Sequence, residues 1–332
     1  MSHLTYAEAM VVGLIQGVTE LFPVSSLGHN VLLPALLGGS WATDLSVAKP
    51  ESPYLAFIVG LHVATAIALM IYFWRDWVRI IGGFFSSLRA GRVTTVDQKM
   101  AWMIIFATIP VGLVGLVFEH EFRVLFAKPI RAAIFLIVNG LILFAGEKFR
   151  TRASLAADAQ IAQERKAEDE LETAGHAERG AAAHASGQRA VRQLEISQAV
   201  QADQRLTRFG YVQAAIIGSA QILALLAGIS RDGVTIVAGM FRGLSREDAA
   251  RFAFLLATPV ILAAGVLKIG DLVGPLGNGI RGQVVVGSVL SGVGAYVSVR
   301  FLMRYFQTRT LTPFAIYCVL FGLGSVIYLT VK

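Results

Sequence analysis

The chain has 332 residues, of which 55% are hydrophobic and only 15% charged, with a net charge of +7. At a mean hydropathy of +0.63, too few polar residues remain to coat soluble globules, which carry about 25% charged residues. A disordered chain, a collagen-like fibre and a disulfide scaffold are excluded as well. Cys318 is the single cysteine, so neither an internal disulfide nor a cysteine metal site can form. No nucleic-acid-binding pattern claims the positive charge, which in a polytopic membrane protein marks cytoplasmic loops.

The first stretch, Tyr6 to Leu37, is apolar but interrupted by Phe22-Pro23-Val24-Ser25-Ser26-Leu27-Gly28-His29. Each piece is too short to span a bilayer, which takes roughly 20 apolar residues. A helix, a break and a second helix predict a re-entrant hairpin, because irregular backbone at membrane depth must be buried in protein or line a polar cavity. Spans are expected at Tyr54 to Trp74, Met100 to Phe118 and Arg131 to Ala145. The segment 149–208 is rich in Ala, Glu, Gln and Arg. It reads equally as a helical hairpin above the cytoplasmic face or as a solvated linker. It carries no catalytic set, so its removal is expected to spare activity. A second broken stretch, Tyr211 to Phe241, is interrupted at Ala227-Gly228-Ile229-Ser230-Arg231-Asp232-Gly233, and three more spans follow at Phe252 to Gly270, Val284 to Met303 and Pro313 to Val331. The expected fold is an all-α polytopic membrane protein with six transmembrane helices and two re-entrant helical hairpins. Basic loops after the first, third and fifth spans put both termini outside. Arg242, Arg246 and Arg251 read as positive-inside anchors.

Sliding the chain by 205 residues aligns the two broken stretches without a gap: Tyr6 meets Tyr211, Gly13 meets Gly218, Gln16 meets Gln221, Ser25 meets Ser230 and Gly28 meets Gly233. Each half, 1–148 and 209–332, is then one hairpin plus three spans. Three is odd, so the halves are expected to have opposite orientation, with a site where the broken helices meet.

Polar residues at membrane depth are rare and mark function by default. Here they gather at the breaks: Gln16, Glu20, Ser25, Ser26, His29 and Asn30 in one, and Gln221, Ser230, Arg231, Asp232 and Thr235 in the other. Gln16 and Glu20 share a helix face. Ser25 or Ser26 can cap the first inner half-helix and Ser230 the second, with Thr235 one turn in. Two half-helix N-termini facing one cavity form an anion site, and Arg231 adds a bidentate donor for phosphate oxygens. Glu20 can hold a divalent cation beside substrate phosphates or move a proton. Ser26 and His29 can serve as nucleophile and base, or His29 as the acid. His62 lies inside a span beside Thr65, equally a packing residue or a cavity residue. The inventory suits a phosphate or diphosphate. Two functions fit it: a phosphatase, or an inverted-repeat carrier that moves a lipid phosphate without hydrolysis.

The run Gln16-Gly-Val-Thr-Glu20-Leu-Phe-Pro23-Val-Ser25-Ser26-Leu-Gly28-His29 resembles the first signature of the undecaprenyl-diphosphate phosphatase, or bacitracin-resistance, family. Gly228-Ile-Ser230-Arg231-Asp232-Gly233-Val-Thr235 resembles its second, and Phe252 to Pro259 and Pro313 to Tyr317 also look like family sequence. The resemblance implies an integral phosphatase of the bacterial inner membrane. It would convert undecaprenyl diphosphate to the monophosphate carrier of cell-wall synthesis, at a site open to the outer face. It implies a divalent cation, Mg²⁺ or Ca²⁺, with Glu20 as metal ligand. Glu20, Ser26, His29 and Arg231 would be catalytic; Gln16, Ser25, Ser230, Gly233 and Thr235 would bind substrate. Ser26, His29 and water all stand as candidate nucleophiles, with Ser26 and His29 as a proton-sharing pair the favoured order. The partners are a polyprenyl diphosphate and membrane lipids, with a homodimer left open. Gln16 stands where Glu is common, Ala227 replaces a Pro, and Asp232 replaces a Ser and puts a negative charge beside the phosphate turn.

Overall fold

A computed structural model describes residues 4–45, 53–126, 128–178, 199–274 and 277–331. Helices in chain order are α1 (Tyr6–Thr19), α2 (Ser26–Leu37), α3 (Gly39–Asp44), α4 (Pro53–Tyr72), α5 (Trp74–Ala90), α6 (Val96–Phe126), α7 (Pro129–Lys148) and α8 (Arg152–Glu178). A helix α9 is described over 199–206. Then come α10 (Tyr211–Ser219), a 3₁₀ turn (Ala220–Leu225), α11 (Arg231–Phe241), α12 (Arg246–Val273), α13 (Arg281–Thr308) and α14 (Thr312–Val331). The described residues contain no strand.

Among the described residues, five helices are long and apolar enough to cross a membrane: Val96–Phe118, Pro129–Lys148, Arg246–Leu267, Arg281–Thr308 and Thr312–Val331. The expected span from Tyr54 to Trp74 becomes a sixth only when α4 is counted with α5, from which it is bent by 86°. Both broken stretches fold as helix, break and helix: α1 with α2, and α10 with α11. The sequence starts α1 with a capping box. The Glu8 N–H donates to Thr5 Oγ1 at 3.2 Å, while the Thr5 N–H donates to Glu8 Oε2 at 2.8 Å.

Small residues set the crossings. A Cβ on Gly13 would overlap the Gly287 carbonyl oxygen of α13, and a Cβ on Gly218 would overlap the Ala107 carbonyl oxygen of α6. The 205-residue shift pairs Gly13 with Gly218, so equivalent glycines let α1 and α10 press onto long helices of the opposite half. Close backbone approach of this kind is how helices gain contact in lipid, where no hydrophobic drive separates them from the solvent. The helices α7 and α14 pack against each other, and α4 lies against α12 and α13.

The 149–208 segment departs from the expectation of a free linker. Its described residues are bound to the membrane helices by ion pairs. Asp203 is fully buried. Its carboxylate accepts from Arg79 Nη2 of α5 at 2.7 Å and from Arg251 Nη2 of α12 at 2.8 Å. Asp76 receives the same two arginines, at 2.7 and 3.1 Å. Arg205 reaches Asp248 at 2.8 Å, Arg165 reaches Glu247 at 2.6 Å, and Asp158 lies 3.4 Å from Arg246, which also reaches Glu147 of α7 at 2.8 Å. Arg246 and Arg251 are therefore not simple membrane anchors. Both are buried and neutralised by carboxylates from other elements. The far part of the expected hairpin, 179–198, lies outside the described residues.

Deleting about residues 155–204 removes Asp203 and Asp158, and leaves Arg251 buried with one carboxylate fewer. Whatever its effect on activity, that deletion should destabilise the protein. Asp203→Ala isolates the effect. Breaking a buried ion pair by removing one partner costs about 3–5 kcal/mol, so the variant should unfold at clearly lower temperature in detergent. An unchanged melting curve would contradict this.

Candidate functional site

The two breaks meet. A Cβ on Gly28 would lie 3.0 Å from Gly228 Cα, and a Cβ on Gly233 would lie 3.2 Å from Pro23 Cβ. Under the 205-residue shift these two contacts exchange. The caps exchange too: the Gly28 N–H donates to Ser25 Oγ at 3.2 Å, and the Gly233 N–H donates to Ser230 Oγ at 3.2 Å. Ser25 and Ser230 thus act as N-caps of α2 and α11, each satisfying one of the free N–H groups that a helix start leaves. Ser25 holds φ at 67°, the one positive value among described non-glycine residues. A backbone in that region costs about 1–3 kcal/mol and persists where its surroundings over-determine it.

Asn139 of α7 ties the breaks to each other. Its Nδ2 donates to the Pro23 carbonyl at 2.9 Å, and its Oδ1 accepts from the Ser230 N–H at 2.9 Å. The side chain is fully buried. One amide therefore satisfies an orphan carbonyl of the first break and the cap N–H of the second.

Glu20 closes α1 and faces this junction, 7% exposed. Its Oε2 accepts from Ser26 Oγ at 2.5 Å and from Gln16 Nε2 at 2.8 Å, with His62 Nε2 at 3.3 Å. Its Oε1 accepts from Arg231 Nη2 at 2.5 Å. Gln16 is held in turn by Asn30, whose Nδ2 donates to Gln16 Oε1 at 2.8 Å. The structure thus gathers Gln16, Glu20, Ser26 and Arg231 around one carboxylate, from both halves of the chain.

Other expected residues take different places. His29 does not meet Ser26. Its Nδ1 lies 2.7 Å from the Ser25 carbonyl and its Nε2 lies 2.7 Å from the Tyr317 hydroxyl. A carbonyl only accepts, so Nδ1 carries the proton and, in the neutral ring, Nε2 accepts from Tyr317. The ring also stacks on Phe321 at 5.2 Å between centroids. The acceptor for the Ser26 hydroxyl is Glu20, which corrects the expected Ser26–His29 pairing. The Thr235 hydroxyl donates within its own helix, to the Arg231 carbonyl at 2.7 Å. Gly233 lends its N–H to the cap. Asp232 is fully buried, and neither of its oxygens has a hydrogen-bond partner.

His62, left open by the sequence between packing and cavity, joins the site through Glu20; Tyr317, at the end of a run that looks like family sequence, joins it through His29; Asn139 belongs to it with no motif to announce it. The signal that would find Asn139 and His62 is the one that found Glu20: a polar side chain inside an apolar run needs a partner. Beside the site, a cavity of about 70 Å³ lies between α1, α2 and α4, lined by Val12, Ile15, His29, Leu33 and Tyr54 among others.

The chemistry of the donor set bears on a metal. Among the described residues no three His, Cys, Asp or Glu side chains form a ligand group. Glu20 and Asp232, whose carboxylate accepts no hydrogen bond, nevertheless suit a hard divalent cation of the Mg²⁺ kind by donor type, since such an ion takes one or two carboxylates and completes its shell with water and phosphate oxygens.

Over residues 9–324 the sequence matches the family described as Bacitracin resistance protein BacA. The chain belongs to that family. An undecaprenyl-diphosphatase of Mycolicibacterium paratuberculosis is 57% identical over 331 residues, covering 100% of this chain and 99% of the relative. Undecaprenyl-diphosphatase 2 of Frankia alni is 52% identical, covering 97% of each chain. Undecaprenyl-diphosphatase 2 of Chromobacterium violaceum is 38% identical, covering 97% of this chain and 98% of the relative. Membership agrees with the resemblance carried by the two breaks.

Asn139→Leu leaves the Ser230 N–H buried without a partner and the Pro23 carbonyl with only the weak Cys318 Sγ donor at 3.9 Å. An orphan group costs about 1–3 kcal/mol, so the melting temperature in detergent should fall. Asn139→Ser, which keeps one donor and one acceptor, should fall less. Equal melting of all three proteins would show that the amide does not join the breaks.

Proposed function

We propose that the protein is an integral membrane phosphatase that hydrolyses undecaprenyl diphosphate to undecaprenyl phosphate and inorganic phosphate. Family membership and the names of its relatives support the reaction class. The observation that carries the mechanism is the shared carboxylate: Glu20 holds the Ser26 hydroxyl on one oxygen and the Arg231 guanidinium on the other.

Ser26 Oγ attacks the terminal phosphorus while Glu20 Oε2 accepts its proton. The bond from that phosphorus to the bridging oxygen breaks, and undecaprenyl phosphate leaves. Water then attacks the phosphoserine, Ser26 recovers its proton, and inorganic phosphate is released. Overall, one water is consumed for each diphosphate. Arg231 and the first-turn N–H groups of α2 and α11 stabilise charge on the transferring phosphoryl oxygens. A divalent cation, Mg²⁺ or Ca²⁺, would be held at Glu20 and would neutralise phosphate oxygens. Ser25 and Ser230 shape the turns as caps, Gln16 fixes the Glu20 rotamer, and Gly233 and Thr235 build the start of α11. His29 is on the wall of the apolar cavity beside the site, a position suited to the first isoprenoid units of the lipid. The pairing of the Ser26 hydroxyl with the Glu20 carboxylate favours hydrolysis over carriage alone, since a carrier needs donors and no hydroxyl set against a base.

The same reading places the protein in the bacterial inner membrane as two inverted repeats, 1–148 and 209–332, with the site open to the outer face and 149–208 on the cytoplasmic side.

Purified protein in detergent should release phosphate from undecaprenyl diphosphate, and a chelator should abolish release. Glu20→Gln and Arg231→Ala should each lower turnover by about 100-fold or more while leaving a folded protein. Ser26→Ala should lose several orders of magnitude, as removal of a nucleophile does, and rapid quenching of the parent should trap acid-stable phosphate on Ser26. Label on a histidine, or full turnover of Ser26→Ala, would overturn the nucleophile assignment.

A further inference from the structure

Asp232 is the second residue of α11 and lies at the junction of the breaks, fully buried. Both of its carboxylate oxygens lack a hydrogen-bond donor. Buried carboxylates are ordinarily hydrogen-bonded, closely paired or bound to metal, and one that accepts no hydrogen bond calls for an explanation. Arg231 Nε stands 3.7 Å from Asp232 Oδ1, beyond hydrogen-bond reach, and is itself unpartnered. The same guanidinium is held at 2.5 Å by Glu20 Oε1 through Nη2. One cationic group therefore lies between two carboxylates from opposite halves of the chain, tightly held by one and loosely by the other.

The remaining neighbours of Glu20 are already committed. Gln16 uses Oε1 for Asn30 and Nε2 for Glu20. His62 is anchored through Nδ1 at 2.9 Å from the Ile58 carbonyl. Ser26 sits on Glu20 Oε2, so Oε1 is the oxygen that faces Arg231 and, beyond it, Asp232.

We propose that Asp232 is the second protein ligand of the divalent cation, paired with Glu20 Oε1 across the Arg231 guanidinium. This rests on the reading of the site as a diphosphate hydrolase and names the residue that pairs with Glu20 in it. Two carboxylates neutralise a doubly charged ion and leave its other positions to water and phosphate oxygens, the arrangement Mg²⁺ takes. Arg231, released from Glu20, becomes free to grip phosphate oxygens in bidentate fashion. The Ser26 bond uses the other Glu20 oxygen, so it survives the exchange.

The test is Mn²⁺ binding to the purified full-length protein in detergent without substrate, followed by the electron-spin signal of free Mn²⁺. Asp232→Asn should weaken Mn²⁺ by at least tenfold, since even groups that merely support a ligand cost about 10- to 100-fold. Asp232→Cys should lose Mn²⁺ and gain Cd²⁺ relative to the parent, because a thiolate selects the softer ion. Should Asp232→Asn fail to fold, the ion preference of Asp232→Cys decides alone. Parent-like Mn²⁺ affinity in Asp232→Asn, or an unchanged preference in Asp232→Cys, overturns the assignment. Phosphate release is measured in parallel. A parent that binds Mn²⁺ but releases no phosphate overturns the phosphatase reading and not the ligand. A hydrolytic parent with Mn²⁺ affinity untouched by Asp232→Asn overturns the ligand and not the phosphatase.

Discussion

The structure depends on one constraint: helices broken at membrane depth must have their loose backbone groups satisfied by protein, because hydrocarbon offers no partner. Serine caps do half of this work, with Ser25 and Ser230 each taking an N–H one turn into its helix. Asn139 adds to it, joining the Pro23 carbonyl to the Ser230 N–H. Satisfying two breaks with one buried amide brings them together. The close contact of Gly28 with Gly228 then leaves the two capped helix starts side by side. The chemistry of the site is a consequence: two positive helix ends converge where Glu20 and Arg231 are also placed.

Glu20 is the electrostatic centre of that junction. A carboxylate at 7% exposure is tolerated because Ser26, Gln16, His62 and Arg231 surround it. The two oxygens divide the labour, one toward a hydroxyl and the other toward a cation. Asp232 lacks such surroundings, and the contrast between two acids a guanidinium apart gives the site its asymmetry. His29, held between Ser25 and Tyr317, belongs to the wall of the site and not to its charged centre.

Away from the site, Asp76, Asp203, Arg79 and Arg251 form a buried set in which each charge meets its opposite, and Asp97 joins it through Arg79. The 149–208 segment enters this set through Asp203. A stretch whose composition reads as solvated linker is thereby fastened to α5 and α12, and the charges that look like membrane anchors in the sequence serve as its docking points.

Much of this protein is legible in the sequence. Composition dictates membrane helices, since too few polar residues exist to cover anything else. The breaks show themselves as Pro, Ser and Gly inside apolar runs, and the ungapped match of Ser25 with Ser230 and Gly28 with Gly233 foretells that both are capped alike. Glu20 and Arg231 stand out because charge at membrane depth has no packing value. Pairing is what the sequence leaves open. Ser26 and His29 are three residues apart on one half-helix, yet the Ser26 hydroxyl turns to Glu20 and the His29 ring to Tyr317. Asn139, Tyr317 and Asp203 lie far along the chain from the groups they touch, so no local spacing reveals them. Local sequence decides where helices start, stop and break, because those are short-range backbone preferences. Tertiary structure alone decides which buried polar group answers which, because each must find its partner wherever packing has put one.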